Sequence, residues 1–399
     1  MDVECLCALP RLPSAARHAG RVQRQVHERT AGTARRQLRH AARPRPRQLS
    51  QFLRALRALA VQRRAPGQGP RVNSDLPITD LHPTPDDITG DVLRGLSATP
   101  KRLPSKYFYD RRGSELFEAI TRQPEYYPTR IELALLEARG AQIAAAVGPR
   151  AHVVEYGSGS GRKTRLLLDA LDDPVAYTPI EISRSALTAS ADRLDREFGD
   201  VEVLPVLADF TCPVPLPAPS RAADHALVFF PGSTLGNFDR AESVRLLAAM
   251  RDTMGERGGA LVGIDLEKDP AVIEAAYNDA AGVTAAFTLN LLARLNRDIG
   301  SDFAPDGFAH RARYLRNEGR IMTTLESLRA QAVTVDGQRF AFAAGEQMHV
   351  EQSQKYSDAR FDALVREAGL RVVERWNDPL DWFGLRLLRR GEPLAGTPR

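Results

Sequence analysis

Glu155-Tyr156-Gly157-Ser158-Gly159-Ser160-Gly161 follows a short apolar run at residues 152–156 and leads into a helix-forming stretch at 163–171. A strand, a turn with three glycines and a helix make a βα unit that presses its backbone against a ligand. A Cβ in such a turn would clash with the bend and with the ligand, so glycine is needed there. Spacing separates the ligand classes that use this device. A dinucleotide turn, G-x-G-x-x-G, needs glycine at position 162, where this chain has Arg162. A phosphate loop needs glycine directly before Lys-Ser/Thr, but Arg162 stands between Gly161 and Lys163. What remains is G-x-G-x-G, the spacing of sheets that bind S-adenosylmethionine.

Outward from the turn the chain alternates. Residues 175–182 form a second expected strand and 183–198 a helix, then 201–207 and 226–230 form a third and fourth strand. A helix opening on a capping box, Asp239 with Glu242 three residues on, precedes a fifth strand at 260–265. A sixth and a seventh fall at 371–375 and 382–388. Such alternation predicts a doubly wound α/β fold of the class I methyltransferase type. Its seven-stranded sheet is mostly parallel, with ligands outside the carboxyl ends of the strands. Two acids sit where a nucleoside would need them. Glu181 ends the second strand and can accept both ribose hydroxyls. Asp209-Phe210 follows the third, a carboxylate for the adenine amino group beside an aromatic ring. A strand-terminal acid alone is as often merely solvated or an N-cap; the ordered set of turn and two acids points to S-adenosylmethionine and away from hydride transfer.

The charge is segregated. Of the 399 residues, the first 74 hold 16 arginines, no lysine and three acids, a net of +13, while the remainder has 39 basic and 47 acidic side chains, a net of −8. The segment has few aromatic or β-branched residues to offset its chain entropy, so residues 1–77 read as a disordered Arg-rich tail, of which residues 1–74 are expected to be dispensable. A nucleic-acid or membrane-binding arm, or a transit peptide, is the rival reading. No apolar run is long enough to span a membrane. Cys5, Cys7 and Cys212 are too few and scattered for a disulfide framework or a zinc site, which fits a reducing cytoplasm and a reaction without metal. The expected domains are an N-terminal helical segment on the substrate side (78–150), a methyltransferase core (151–280 and 351–399) and an inserted substrate-binding lobe (281–350), where the βα period is lost.

Several further runs are not general features of this fold: Tyr107-Phe108-Tyr109-Asp110, Pro124-Glu125-Tyr126-Tyr127-Pro128-Thr129-Arg130, Gly232-Ser233-Thr234-Leu235-Gly236-Asn237, YNDAAGVTAAF at 277–287 and GEQMHVEQS at 345–353. With the glycine turn, they resemble the histidine Nα-methyltransferases that make trimethylhistidine (hercynine) in the first step of ergothioneine biosynthesis. The likeness spans roughly residues 90–388. It implies that Tyr126, Gly157, Gly159, Lys163, Glu181, Asp209 and Phe210 bind the cofactor, Lys163 holding its carboxylate. It implies that Tyr109, Gly232, Asn237 and Tyr277 grip the amino and carboxylate groups of histidine, Tyr109 and Asn237 being the catalytic pair. Glu351 and Ser353 would hydrogen-bond the imidazole, beside an apolar side chain from the region of Met322-Thr323. Glu181 is a departure, since the family's acid there is also found as Asp.

The implied chemistry is consistent. Methyl transfer from a sulfonium is an in-line displacement that needs a neutral amine held near attack geometry. Tyr109 and Asn237 orient nitrogen without a charge that would keep it protonated. Glu351 accepts from one imidazole N–H, and Ser353, donor or acceptor, serves the other nitrogen. The expected partner is a small molecule, with no nucleic acid and no membrane, and the chain is expected to work as a monomer. Two other functions remain open: the same fold methylating another amino acid or small amine, and a catalytically dead fold with a nucleic-acid-binding tail.

Overall fold

The computed structural model describes residues 76–81, 87–159, 161–182 and 184–391. All but the last two residues of the expected tail lie outside the described residues. The chain runs through β1 (Thr79–Asp80), α1 (Ile88–Ser97), a 3-10 turn (Ser105–Phe108), α2 (Arg111–Ile120) and α3 (Tyr127–Val147). The alternation follows as β2 (Ala151–Tyr156), α4 (Arg162–Ala170), β3 (Ala176–Glu181), α5 (Arg184–Glu197), β4 (Glu202–Val203), β5 (Val206–Leu207), β6 (His225–Phe230), α6 (Arg240–Met254) and β7 (Gly259–Asp265). Then come α7 (Pro270–Tyr277), α8 (Val283–Ile299), β8 (Phe308–Leu315), β9 (Arg320–Ser327), β10 (Gln331–Val335), β11 (Gln338–Phe342) and β12 (Gln347–Gln354). Finally α9 (Asp358–Glu367), β13 (Leu370–Asn377) and β14 (Phe383–Arg390) close the fold.

The main sheet runs β1-β5-β3-β2-β6-β7-β14-β13, with β4 beside β3. Strands from β1 to β7 pair in parallel, and β14 is antiparallel to both neighbours. The mostly parallel sheet is as expected, but it has nine strands rather than seven. The expected third strand is split because Pro205, which has no N–H for a ladder, lies between β4 and β5. The other addition is β1, within six described residues at the margin of the expected tail. Thr79 N donates to Pro205 O and Leu81 N to Leu207 O, and Leu76 packs on the core.

Residue parity distributes the core. Val154 and Tyr156 of β2, Val228 and Phe230 of β6, and Ala260 and Val262 of β7 face α6 and α9. Their neighbours Val153, Leu227, Phe229 and Leu261 face α3, α4 and α5. The strands are buried on both faces, which is why they read as continuous apolar runs. Their carboxyl ends all point to one edge, where the site lies.

The inserted lobe is built of α8, the hairpin β10-β11 and the antiparallel sheet β12-β9-β8. It shares a core with the N-terminal elements: Val92, Tyr107, Phe108 and Leu116 pack with Phe287, Leu291, Leu325, Phe342 and Met348. The two segments expected as separate domains therefore form one body above the sheet. The boundaries differ too. Within 78–150, α3 belongs to the sheet's own core through Leu135, Leu136 and Ile143. At the far end β12 carries the lobe on to Gln354, past the boundary expected at 350. Among the described residues no helix is long and apolar enough to cross a membrane.

Candidate active site

Gly157, Gly159 and Gly161 all have positive φ (76°, 45° and 69°), the left-handed region where a side chain is strained. An added Cβ at Gly157 or Gly159 would meet no protein atom within 4 Å, so the turn presents bare backbone to open space. Glu181, at the end of β3, accepts from the backbone N–H of Ser158 at 2.7 Å and from its hydroxyl at 3.2 Å. Burial raises its pKa, opposed by these bonds. Beneath the turn, Glu155 is buried and accepts from Thr164 and Tyr177, each at 2.6 Å. Burial pushes its pKa up to about 8. Phe210 stacks on Tyr156 with ring centroids 5.3 Å apart, and exposed Asp209 caps its own turn by accepting from Thr211.

Lys163 Nζ lies 2.6 Å from Oε2 of Glu132, whose side chain has no exposed surface. Both Glu132 oxygens also accept from the backbone N–H of Gly232. One carboxylate thus ties the cofactor-side lysine to the loop after β6. A Cβ at Gly263 would stand 2.3 Å from Glu132 Oε1, so glycine there makes the room. The substrate-side expectation for Gly232 is altered: its N–H is already engaged.

On the substrate side, rings form a chain. Tyr109 packs on Phe117 and Phe287, each at 5.7 Å, and Phe117 on Tyr126 at 6.4 Å. Tyr126 then meets Tyr277 at 6.5 Å. The Tyr109 side chain is 46% exposed, at the open end of this row. The buried ammonium of Lys355 reaches Tyr277 OH at 2.9 Å, Ser353 Oγ at 3.0 Å and Asp265 Oδ2 at 2.8 Å. Asp265, at the end of β7, also takes Lys268 at 2.5 Å and both its oxygens accept from Tyr127 OH at 2.9 Å. Although burial raises the Asp265 pKa, Lys355 and Lys268 hold it below its ordinary value.

Ser353 and Glu351 project from β12 toward the face of β9 that carries Ile321 and Thr323. Met322 alternates to the opposite face, so Thr323 is the neighbour of Glu351. Glu351 has no hydrogen-bond partner among the described residues. Burial pushes its pKa up to about 7, against the pull of Lys355. The loop bearing Asn237 packs tightly on β12: a Cβ on Gly236 would lie 2.8 Å from Gln354 O and 3.3 Å from Ser353 Oγ. Asn237 makes no side-chain bond among the described residues.

The expected residues thus gather along one edge in two groups. Glu181, Asp209, Phe210 and the turn lie on the β2-β3-β5 side; Tyr277, Glu351 and Ser353 lie at the lobe, with Lys163 and Gly232 joined through Glu132 in between. Sequence reading missed Glu132, Asp265 and Lys355. Asp265 carried a signal, being a strand-terminal acid like Glu181. Glu132 and Lys355 carried none, since a helix glutamate and a lysine after a strand are ordinarily solvated. No group of three or more His, Cys, Asp or Glu that could hold a metal occurs among the described residues.

A doubly wound sheet with one antiparallel strand, an open glycine turn and an acid on the adjacent strand defines an S-adenosylmethionine-binding methyltransferase. The family model described as "Histidine-specific methyltransferase, SAM-dependent" matches residues 88–390, and this chain belongs to that family. It is 42% identical to a histidine N-alpha-methyltransferase of Mycolicibacterium smegmatis, covering 75% of this chain and 94% of that protein. Its identity to the Mycobacterium tuberculosis protein of that name is 41%, over 74% and 93% of the two chains. It is also 31% identical to ergothioneine biosynthesis protein 1 of Neurospora crassa, over 73% of this chain and only 33% of that longer protein.

Proposed function

We propose that this chain methylates the α-amino nitrogen of L-histidine with S-adenosylmethionine, in successive transfers that give trimethylhistidine, the opening step of ergothioneine synthesis. The observation that carries the substrate is the lobe face where Glu351, without a hydrogen-bond partner among the described residues, lies beside Ser353. An apolar side chain would leave the Glu351 carboxylate and the Ser353 proton unpaired; an imidazole pairs with both.

The cofactor fits the turn, whose open space at Gly157 and Gly159 is what an added Cβ would invade. When bound, it supplies an electrophilic methyl group on a sulfonium. The chain's own part is to bind and orient. Glu181 accepts from the ribose, Asp209 and Phe210 meet the adenine, Tyr126 lines the approach, and Lys163 faces the carboxylate. Tyr109 and Asn237 hold the amine by neutral groups, so no counter-charge keeps it protonated. Tyr277 and the Gly232 loop hold the amino-acid carboxylate. We assign the enzyme to the cytoplasm, where both substrates are soluble, as a monomer without nucleic acid, with core and lobe dividing near residues 281 and 350–354.

The test is incubation of the full chain with S-adenosylmethionine and a panel of amino acids and small amines, with products followed by mass. Successive 14 Da additions on histidine are expected, roughly one methylene each. Methylation of another amino acid in preference to histidine overturns the substrate assignment.

A further inference from the structure

Lys355 lies one residue beyond β12 and is wholly buried. Its three hydrogen-bond contacts within the site are to Asp265 Oδ2, Tyr277 OH and Ser353 Oγ, at 2.8, 2.9 and 3.0 Å. An ammonium has three protons and no lone pair, so at each contact the oxygen must accept. Burial alone would favour loss of the proton, but Asp265 holds it on and the pKa is raised. The contact at Ser353 therefore has a fixed polarity. Lys355 takes one of the two lone pairs on the Ser353 oxygen, and the single O–H proton of that hydroxyl is left to point elsewhere.

Glu351 stands two residues earlier on the same strand face and has no hydrogen-bond partner among the described residues. As a carboxylate it only accepts. The two side chains then offer a ring one acceptor and one donor, and a neutral imidazole offers the complement. An imidazolium, with two N–H groups, would have to share the Ser353 oxygen with Lys355 and would give the Ser353 proton no acceptor on the ring.

We infer that Lys355 is a positioning residue for the reaction: by donating to Ser353 it fixes that hydroxyl as a donor, so that histidine is taken as a neutral imidazole in one tautomer, its N–H on Glu351 and its bare nitrogen on Ser353. This rests on the assignment of histidine above. The same contact turns the Tyr277 proton away from Lys355, which suits a carboxylate acceptor.

Ring-15N histidine bound to the wild-type protein with S-adenosylhomocysteine tests this without any substitution. One pyrrole-type and one pyridine-type nitrogen are expected. Two protonated nitrogens, or an averaged pair from exchanging tautomers, overturn the inference. Histidine that neither binds nor turns over instead fails the substrate assignment, and the panel above reads that separately.

A second measurement compares histidine with a pyrrolylalanine, whose ring keeps the N–H and lacks the bare nitrogen. The wild type should prefer histidine because the pyrrole leaves the Ser353 proton unpaired. Lys355→Met lets that hydroxyl turn, so the preference in kcat/KM should fall by roughly tenfold, the scale of one unsatisfied buried group. Lys355→Arg should restore most of it. Ser353→Ala should remove the same preference, and the double variant should lose no more. A Lys355→Met enzyme that is slower on both substrates by one factor, with its preference intact, shows a role in folding only and overturns the inference. If that variant does not fold, the 15N spectrum and Ser353→Ala decide.

Discussion

Glu351 on β12 stands directly opposite Thr323 on β9, just past an irregularity in the ladder. Before it Met348 pairs with Leu325; after it Glu351 pairs with Thr323. One extra residue, Val350, sits between. Because side chains alternate, an uninterrupted strand would have carried the face of Met348 on to Val350 and Gln352. The bulge instead adds Glu351 and Ser353 to that face, re-aiming two polar side chains into the site.

Thr323 is buried at this point, and its hydroxyl has no hydrogen-bond partner among the described residues. Thr323→Val keeps the shape and removes the unsatisfied group. Thermal unfolding of the protein without ligand should show a gain of about 1 kcal/mol. A loss of stability would mean that the hydroxyl is satisfied in solution.

Glu132 is the buried partner of Lys163. Glu132→Gln leaves the ammonium without its counter-charge and should cost about 3 kcal/mol, the low end for breaking a buried pair, since Lys163 is 18% exposed. If Lys163 faces the cofactor carboxylate, saturating S-adenosylmethionine supplies a replacement charge. The ligand-induced rise in Tm should then be larger in the variant than in the wild type. An equal or smaller rise would place Lys163 away from that carboxylate.

The sheet was legible because its strands are short apolar runs separated by turn and helix signals, and the glycine turn and Glu181 fell where those runs end. Pro205 was visible in the sequence, yet its consequence, two strands in place of one, depends on the neighbouring ladder. The Val350 bulge has no local signature at all: MHVEQS alternates no differently from an unbroken strand. The ties that build the site are also long-range. Glu132 meets Gly232, and Asp265 meets Lys355, across 100 and 90 residues of chain. Periodicity reports which face a residue occupies on its own element and says nothing of what lies opposite. The common core of the N-terminal helices and the lobe was hidden for the same reason.

Glu155 predicts a pH dependence of stability. Burial raises its pKa from 4.5 to about 8 in the folded state. The unfolded chain therefore holds fewer protons between those values, and stability falls as pH rises through that window. Glu155→Gln should flatten the fall in Tm between pH 5 and 8, roughly the interval the two pKa values bracket. A fall that persists unchanged in the variant would put Glu155 in its ionised form at neutral pH.

Glu351 should set an acidic limb on catalysis. Its pKa is pushed up to about 7, and its carboxylate accepts an imidazole N–H more strongly than the neutral acid does. Below that value the group gains a proton and loses the charge that strengthens this bond, so kcat/KM for histidine should rise with pH through about 7 beyond what ionisation of free histidine accounts for. In Glu351→Gln that additional limb should vanish. Superimposable profiles, after scaling, would assign the limb elsewhere.

Glu351→Ala separates substrate recognition from cofactor binding. Glu351 lies on the lobe strand β12, whereas Glu181 ends a strand of the main sheet and the glycine turn and Asp209 follow others. Affinity for S-adenosylmethionine, measured by calorimetry, should therefore be unchanged. Histidine loses its acceptor, and the wild type's penalty against leucine or phenylalanine, which leave the carboxylate unpaired, disappears with the carboxylate. Each unsatisfied buried group costs about 1–3 kcal/mol, and about 1.4 kcal/mol is a factor of ten. The preference for histidine over an apolar amino acid should then shrink by at least about fivefold and up to roughly a hundredfold. Ser353 remains, so a residual preference should survive in Glu351→Ala and be lost in the double variant with Ser353→Ala. If the single variant keeps the full preference, the imidazole is read by other side chains, and only methylation of an α-amino group remains assigned.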